Sequence, residues 1–168
     1  MTVVADSGPF IHLAVVGHFL LLKQDFHTLL VIPQVYDEVV TQGRGRPGDA
    51  ELRQAVSDGW VKIEPVIDPA LVQQFAAPNV SETDAAVLAC ALEKKASLVL
   101  ADDIEVRRLA EREGLPVMGS VGILTQARLK GAIRELKPLL DQLVSAGFHL
   151  DPHGRVYQDA LKRVGEIR

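Results

Sequence analysis

Short apolar runs separated by longer amphipathic stretches set the first expectation for this chain. Residues 2–6, TVVAD, form a β-branched run ending in an acid, and Ser7, Gly8 and Pro9 then favour a turn into a helix. From Pro9 to about Gly17 the chain is apolar with little alternation, and a second short helix is expected over Phe19 to Lys23. TLLVI, residues 28–32, has the character of a buried strand, after which Pro33 opens a helix through VYDEVVTQ toward the breakers Gly43, Gly45, Pro47 and Gly48. Residues 49–57 are expected to be helical, and WVKIEPV around Trp60 alternates like a strand at a sheet edge.

The second half repeats this alternation. Ser81 is placed to cap a long helix, SETDAAVLACALEKK, with Glu82 and Asp84 in the first turn, where the helix dipole favours negative charge. SLVLADD reads as a fully buried strand ending in two acids; 104–113 is a helix stopped by Gly114; LPVM is a short strand; and 120–130 is one more helix. A tail from Glu135 adds a helix in LKPLLDQLVSAG and a final amphipathic helix in YQDALKRVG. Strands alternating with helices imply right-handed βαβ units and a parallel sheet covered on both faces, so the expected class is α/β. With no repeat and no low-complexity linker, one domain over 1–168 is expected, its core at about 1–130 and a helical extension at about 131–168.

Composition narrows the field of activities. In 168 residues the 48% hydrophobic content suffices for a core without disulfide or metal staples. The single Cys90, inside AVLACAL, reads as a small buried hydrophobe in a reducing compartment. No basic segment precedes an apolar run at the N-terminus, and HFLLLKQDFHTLLVI is broken by Lys23 and Asp25, so neither a secretory signal nor a membrane span is expected, and residence is expected to be cytoplasmic. A net charge of -4 argues against a protein that coats nucleic acid by bulk electrostatics. It weighs less against a nuclease whose divalent cations neutralise both its own acids and the substrate phosphate.

The acids carry the candidate chemistry. In an open α/β sheet ligands bind beyond the carboxyl ends of the strands, and Asp6 and the pair Asp102 and Asp103 follow strands directly. Asp84 in a first helical turn and Glu38 in the helix after TLLVI lie within reach of the same edge. Clustered carboxylates without Cys or His suit a hard cation such as Mg²⁺ or Mn²⁺; two such ions roughly 3.5–4 Å apart activate water and stabilise the leaving oxygen of a phosphodiester. Each acid also has a structural reading: Asp6 as a turn or cap residue, Glu38 as a solvated helix residue, Glu82 and Asp84 as dipole partners, and Asp102 or Asp103 as a cap.

Taken together, VVADSGPFIHL, VIPQVYDEVV, SETDAAVLACALEKKASLVLADD and RRLAEREGLPVMGSVGILTQARLKG resemble a PIN domain, and more narrowly the DUF3368 subgroup. The resemblance spans nearly the whole chain, including AGFHLDPHGRVYQDALKRVGE. It implies a three-layer α/β/α sandwich with a mostly parallel sheet, and a Mg²⁺- or Mn²⁺-dependent endoribonuclease. By the same resemblance Asp6 is the first metal ligand, Glu38 the second, Asp84 the third, and Asp102 or Asp103 the fourth, with Asp103 favoured by its place beyond the strand end. Ser7 would orient a ligand or water, and Glu82, in the Glu-Thr-Asp sequence at the helix start, would share Asp84's role. Related PIN families, VapC-like, are toxins of type II toxin–antitoxin pairs, so an RNA substrate, a small antitoxin partner and a homodimer are expected.

The remaining motifs are weaker. His12, His18, His27, His149 and His153 lack paired metal spacing and read as surface or packing residues. GRGRPG reads as a loop, and Arg107 and Arg108 as helix surface with a secondary reading of steering RNA or a partner's acidic tail. No dinucleotide fingerprint, P-loop or nucleophile elbow is present. The rival to hydrolysis is a PIN-like RNA-binding or protein-interaction module without catalysis.

Overall fold

A computed structural model describes residues 1–168. The chain runs β1 (Val3–Ala5), α1 (Ser7–Val15), α2 (Leu21–Phe26), β2 (Leu29–Val31), α3 (Pro33–Tyr36) with a π-helical turn (Asp37–Thr41), and α4 (Asp49–Ser57). It continues through β3 (Val61–Ile63), α5 (Pro69–Gln74), α6 (Glu82–Glu93), β4 (Leu98–Leu100), α7 (Ile104–Arg112) and β5 (Val117–Met118). Helices α8 (Ser120–Leu129), α9 (Lys137–Ser145) and α10 (Arg155–Arg163) complete it.

All five strands are parallel, in the order β3-β2-β1-β4-β5. Central β1 is buried at every residue because both its faces are covered, so its sequence is a continuous apolar run without alternation. Helix α1 packs with α4, α8 and α9, whereas α6 packs on β1 between α5 and α7. The result is a three-layer α/β/α sandwich with a wholly parallel sheet, as the sequence implies. Two further pieces tie the tail down: α10 packs on α8, and the Glu166 carboxylate accepts the backbone N–H of Leu136 at 2.6 Å and of Lys137 at 2.8 Å at the start of α9, while Arg128 donates to it from α8.

The order of strands fixes where a ligand binds. From β1 the chain moves outward to β2 and β3, then crosses back to β4 on the other side of β1 and on to β5. Connections from β1 and β4 therefore diverge to opposite sides, opening a crevice beyond their carboxyl ends. Asp6 directly follows β1, and Asp102 and Asp103 close the short link from β4 to α7.

Most elements lie where the periodicity puts them, and α4 has the expected bounds. Four features differ. Helix α1 starts at Ser7 itself, without an intervening turn, because the Asp6 side chain accepts the Ser7 N–H at 2.8 Å and caps it. The expected helix at Phe19 to Lys23 is displaced to Leu21–Phe26. Short α5, capped by Asp68 with Pro69 in its first turn, has no counterpart in the sequence expectation. The helix opened by Pro33 is present, but it widens into a π turn from Asp37, and Glu38 lies on that turn; such turns are concentrated at functional sites. No helix is long and apolar enough to cross a membrane.

Candidate active site

Asp6 is a buried acid at the crevice. Its residue exposure is 6%, and its carboxyl is pushed up from the ordinary 3.8 to about 7. Burial is the largest cause; the Ser7 N–H opposes it, and the charges of Asp84, Glu38 and Asp103 push it higher. Asp84 is also raised, first by burial and further by Asp103, against the hydrogen bonding of Ser81. The Ser81 hydroxyl oxygen accepts the Asp84 N–H at 3.0 Å, so the cap that starts α6 also fixes where Asp84 stands.

A cleft of about 480 Å³ exposes this cluster, lined by Asp6, Ser7, Asp84, Asp102 and Asp103, with His12 and Phe148 on its rim. Glu38 does not line the cleft, yet it stands near enough for its charge to act on Asp6. Glu82 is not part of the group: it faces a separate groove with Pro33, Gln34 and Ser81. It stands two residues before Asp84 on α6, about 200° around a helix that turns about 100° per residue.

Asp102 and Asp103 have different surroundings although they are adjacent. The Asp102 carboxylate accepts three bonds, each 2.6 Å: from the Ser120 N–H, the Ser120 hydroxyl and His12 Nδ1. Two glycines close over it. A Cβ at Gly8 would come within 2.9 Å of its Oδ2, and one at Gly119 within 2.8 Å of its Oδ1. Asp103 is exposed and caps α7 with Oδ1 alone, accepting the Glu105 and Val106 N–H groups. Its Oδ2 accepts no bond from the protein, and its charge is the one felt at both Asp6 and Asp84.

The donor chemistry suits a hard divalent cation. Asp6, Asp84 and Asp103 offer oxygen only, and the carboxyl of Asp6 is raised first by burial and then by the acids around it. As the side chains stand, no three acids or imidazoles converge on one ion position, so ligation would require carboxylate rotamers to turn inward.

Sequence reasoning missed the partners of Asp102. His12 is held on Asp102 and against the Phe148 ring, with centroids 4.2 Å apart, and Ser120 is fully buried at the start of α8. A local signal exists for one of them: Gly8 and His12 are four residues apart in α1 and share the face turned to the sheet edge. Cys90 is buried and its thiol is pushed up to about 11 by that burial, in keeping with a packing role.

Among curated proteins no sequence matches this chain. A family model described as DUF3368: PIN domain matches residues 2–166. The fold is thus of the nuclease type, in which divalent metals typically serve, and the acids after β1, in α6 and after β4 lie at the crevice beyond the strand ends. The chain belongs to the DUF3368 family of PIN domains.

Proposed function

We propose that the chain is a metal-dependent endoribonuclease hydrolysing RNA phosphodiester bonds, and the toxin of a type II toxin–antitoxin pair. The observation that carries this reading is the buried Asp6 carboxyl, raised to about 7 by burial and by three further acids drawn from α6, the π turn and the link after β4. A structural cap has no need of three acidic neighbours. A site that takes up cations does.

Asp6, Asp84 and Asp103 would hold the ion, with Mg²⁺ or Mn²⁺ the ions such donors favour. When bound, such a cation activates water and stabilises the leaving oxygen of the phosphodiester. Glu38, outside the cleft wall but within electrostatic range of Asp6, would complete the acidic set. The Ser7 N–H holds one oxygen of Asp6 and leaves the other for the cleft. Asp102, with its bonds taken by Ser120 and His12, acts as a positioning residue and is not a ligand. The toxin reading brings with it a small antitoxin covering the cleft and a homodimer as the working form.

The test is cleavage of a labelled RNA pool by the purified chain with Mg²⁺, Mn²⁺ or chelator, beside Asp6→Asn and Asp84→Asn. Cutting that needs metal and is lost in both variants, with thermal stability retained, is the expected result. The rival, a non-catalytic RNA-binding or interaction module, draws on the absence of convergent ligands. It wins if partner-free protein neither cuts RNA nor gains thermal stability from either metal.

A further inference from the structure

A second cavity, also about 480 Å³, opens beside the acidic cleft between α7, α8 and α10. The two share Asp102, Ile104, Phe148 and His149, so a chain lying over the acids continues directly into it. Three guanidiniums line it, Arg107, Arg155 and Arg163, and none makes an ion pair or a side-chain hydrogen bond within the protein. The neighbouring Arg108 differs: Glu105 binds it at 2.7 Å.

Acids are present too, and their engagements matter. Asp102 is taken up by Ser120 and His12, and Asp151 Oδ1 accepts the His153 N–H. Asp159 lies one turn from both Arg155 and Arg163 on α10, yet neither arginine bonds to it. Between the guanidiniums the walls are apolar: Met118 and Val121 on one side, Val156 on the other, the last left 56% exposed. Unpaired guanidiniums around an apolar recess, continuous with a phosphodiester-cleaving cleft, match the alternation of phosphate and base in a nucleic-acid strand.

We propose that this cavity between α7, α8 and α10 is the subsite for the nucleotides flanking the scissile phosphate of a single-stranded RNA. Arg107, Arg155 and Arg163 take the phosphates, and a base rests between Met118, Val121 and Val156. This rests on the nuclease reading for its choice of substrate. It also gives the C-terminal segment a part in recognition.

The experiment measures binding of a short fluorescent single-stranded RNA across a salt series, with the full chain in an Asp84→Asn background that cannot cut. It compares the parent with Arg155→Gln/Arg163→Gln, Arg155→Lys/Arg163→Lys and the loop control Arg44→Gln/Arg46→Gln. For single strands each lost phosphate contact lowers the salt slope by about 0.7, so the glutamine pair should lower it by about 1.4 and weaken binding about five-fold or more. The lysine pair should restore the slope, and the control should leave it unchanged. An unchanged slope and affinity in the glutamine pair would overturn the subsite. So would an acidic peptide that binds through these arginines while RNA binding stays as in the parent. Hydrolysis of a small chromogenic phosphodiester by the active chain separates the two readings: it reports the acidic cleft alone, should be equal with and without the arginine pair, and fails outright if the nuclease reading is wrong.

Discussion

Asp102 and Asp103 are neighbours in sequence and opposites in environment. Asp102 sits in a knot: three donors at 2.6 Å bind its carboxylate, and a side chain at either of two flanking glycines would collide with it. Across the crevice the Asp6, Asp84 and Asp103 group is under-compensated, with burial and mutual repulsion raising Asp6 to about 7. A saturated polar group holds structure together, whereas one left short of partners stores free energy that a ligand can release. The contrast teaches that two adjacent acids at one strand end can differ in kind, one bound into the scaffold and the other with an oxygen left free of it.

The largest way to break that contrast is to remove the knot. Asp102→Ala would leave the Ser120 N–H and hydroxyl and His12 Nδ1 without their acceptor, and should cost about 3–5 kcal/mol in urea unfolding. A loss under about 1 kcal/mol would mean that Asp102 is not the tie between α1, the link after β4 and α8.

Asp6 tests the opposite pole. Because its folded carboxyl titrates near 7 and an unfolded one near 3.8, the stability it lends is fully present below about pH 3.8 and is lost as pH rises through 7. About three pH units correspond to at most about 4 kcal/mol. Metal-free protein should therefore lose stability from pH 4 to 8, and Asp6→Asn should flatten that decline and be the more stable chain at pH 8. Mn²⁺ should raise the melting temperature of the parent and not of the variant. A parent whose stability is flat over this range would show that Asp6 carries no such strain.

Smaller effects sharpen the comparison. Gly119→Ala inserts a methyl within 2.8 Å of Asp102 Oδ1 and 3.3 Å of the Ala101 carbonyl oxygen. It should cost about 1–3 kcal/mol by thermal unfolding. Asp103→Asn keeps a good cap for α7, so stability should change by less than about 0.5 kcal/mol, while the metal-induced rise in melting temperature disappears. Glu82→Gln, facing the other groove, should leave RNA cleavage and metal response within about two-fold of the parent.

How far these features are legible in the sequence depends on how local their causes are. Strands β1, β2 and β4 and the caps of α6 and α7 follow from a few adjacent residues, so the three-layer fold and the acids at its crevice can be read from the chain. Helix α5 also carries its signals, Asp68 as cap and Pro69 behind it, but six residues are too few for periodicity to mark. The π turn is a one-residue departure inside an amphipathic stretch, and hydrophobic spacing does not resolve it. The knot is invisible for a different reason: His12 and Asp102 are 90 positions apart and Ser120 lies 18 beyond. Nothing short of the strand order brings them together. The same distance explains why Asp103 could be favoured over Asp102 from its position but not explained by the hydrogen bonds that distinguish them.

The central strand has a consequence for how the protein is made. β1 is synthesised before the other strands and pairs with β2 through Val4 and Leu30, but its other neighbour, β4, begins only at Leu98. At about 5–20 residues per second, roughly 5–20 s pass on the ribosome before that second partner exists. During this interval one edge of the innermost strand stays open, and Asp6 waits beside it without Asp84 or Asp103. The acids of the cleft thus cannot come together until β4 has been made, and the exposed edge of β1 is the point at which a translation product stalled before β4 would aggregate.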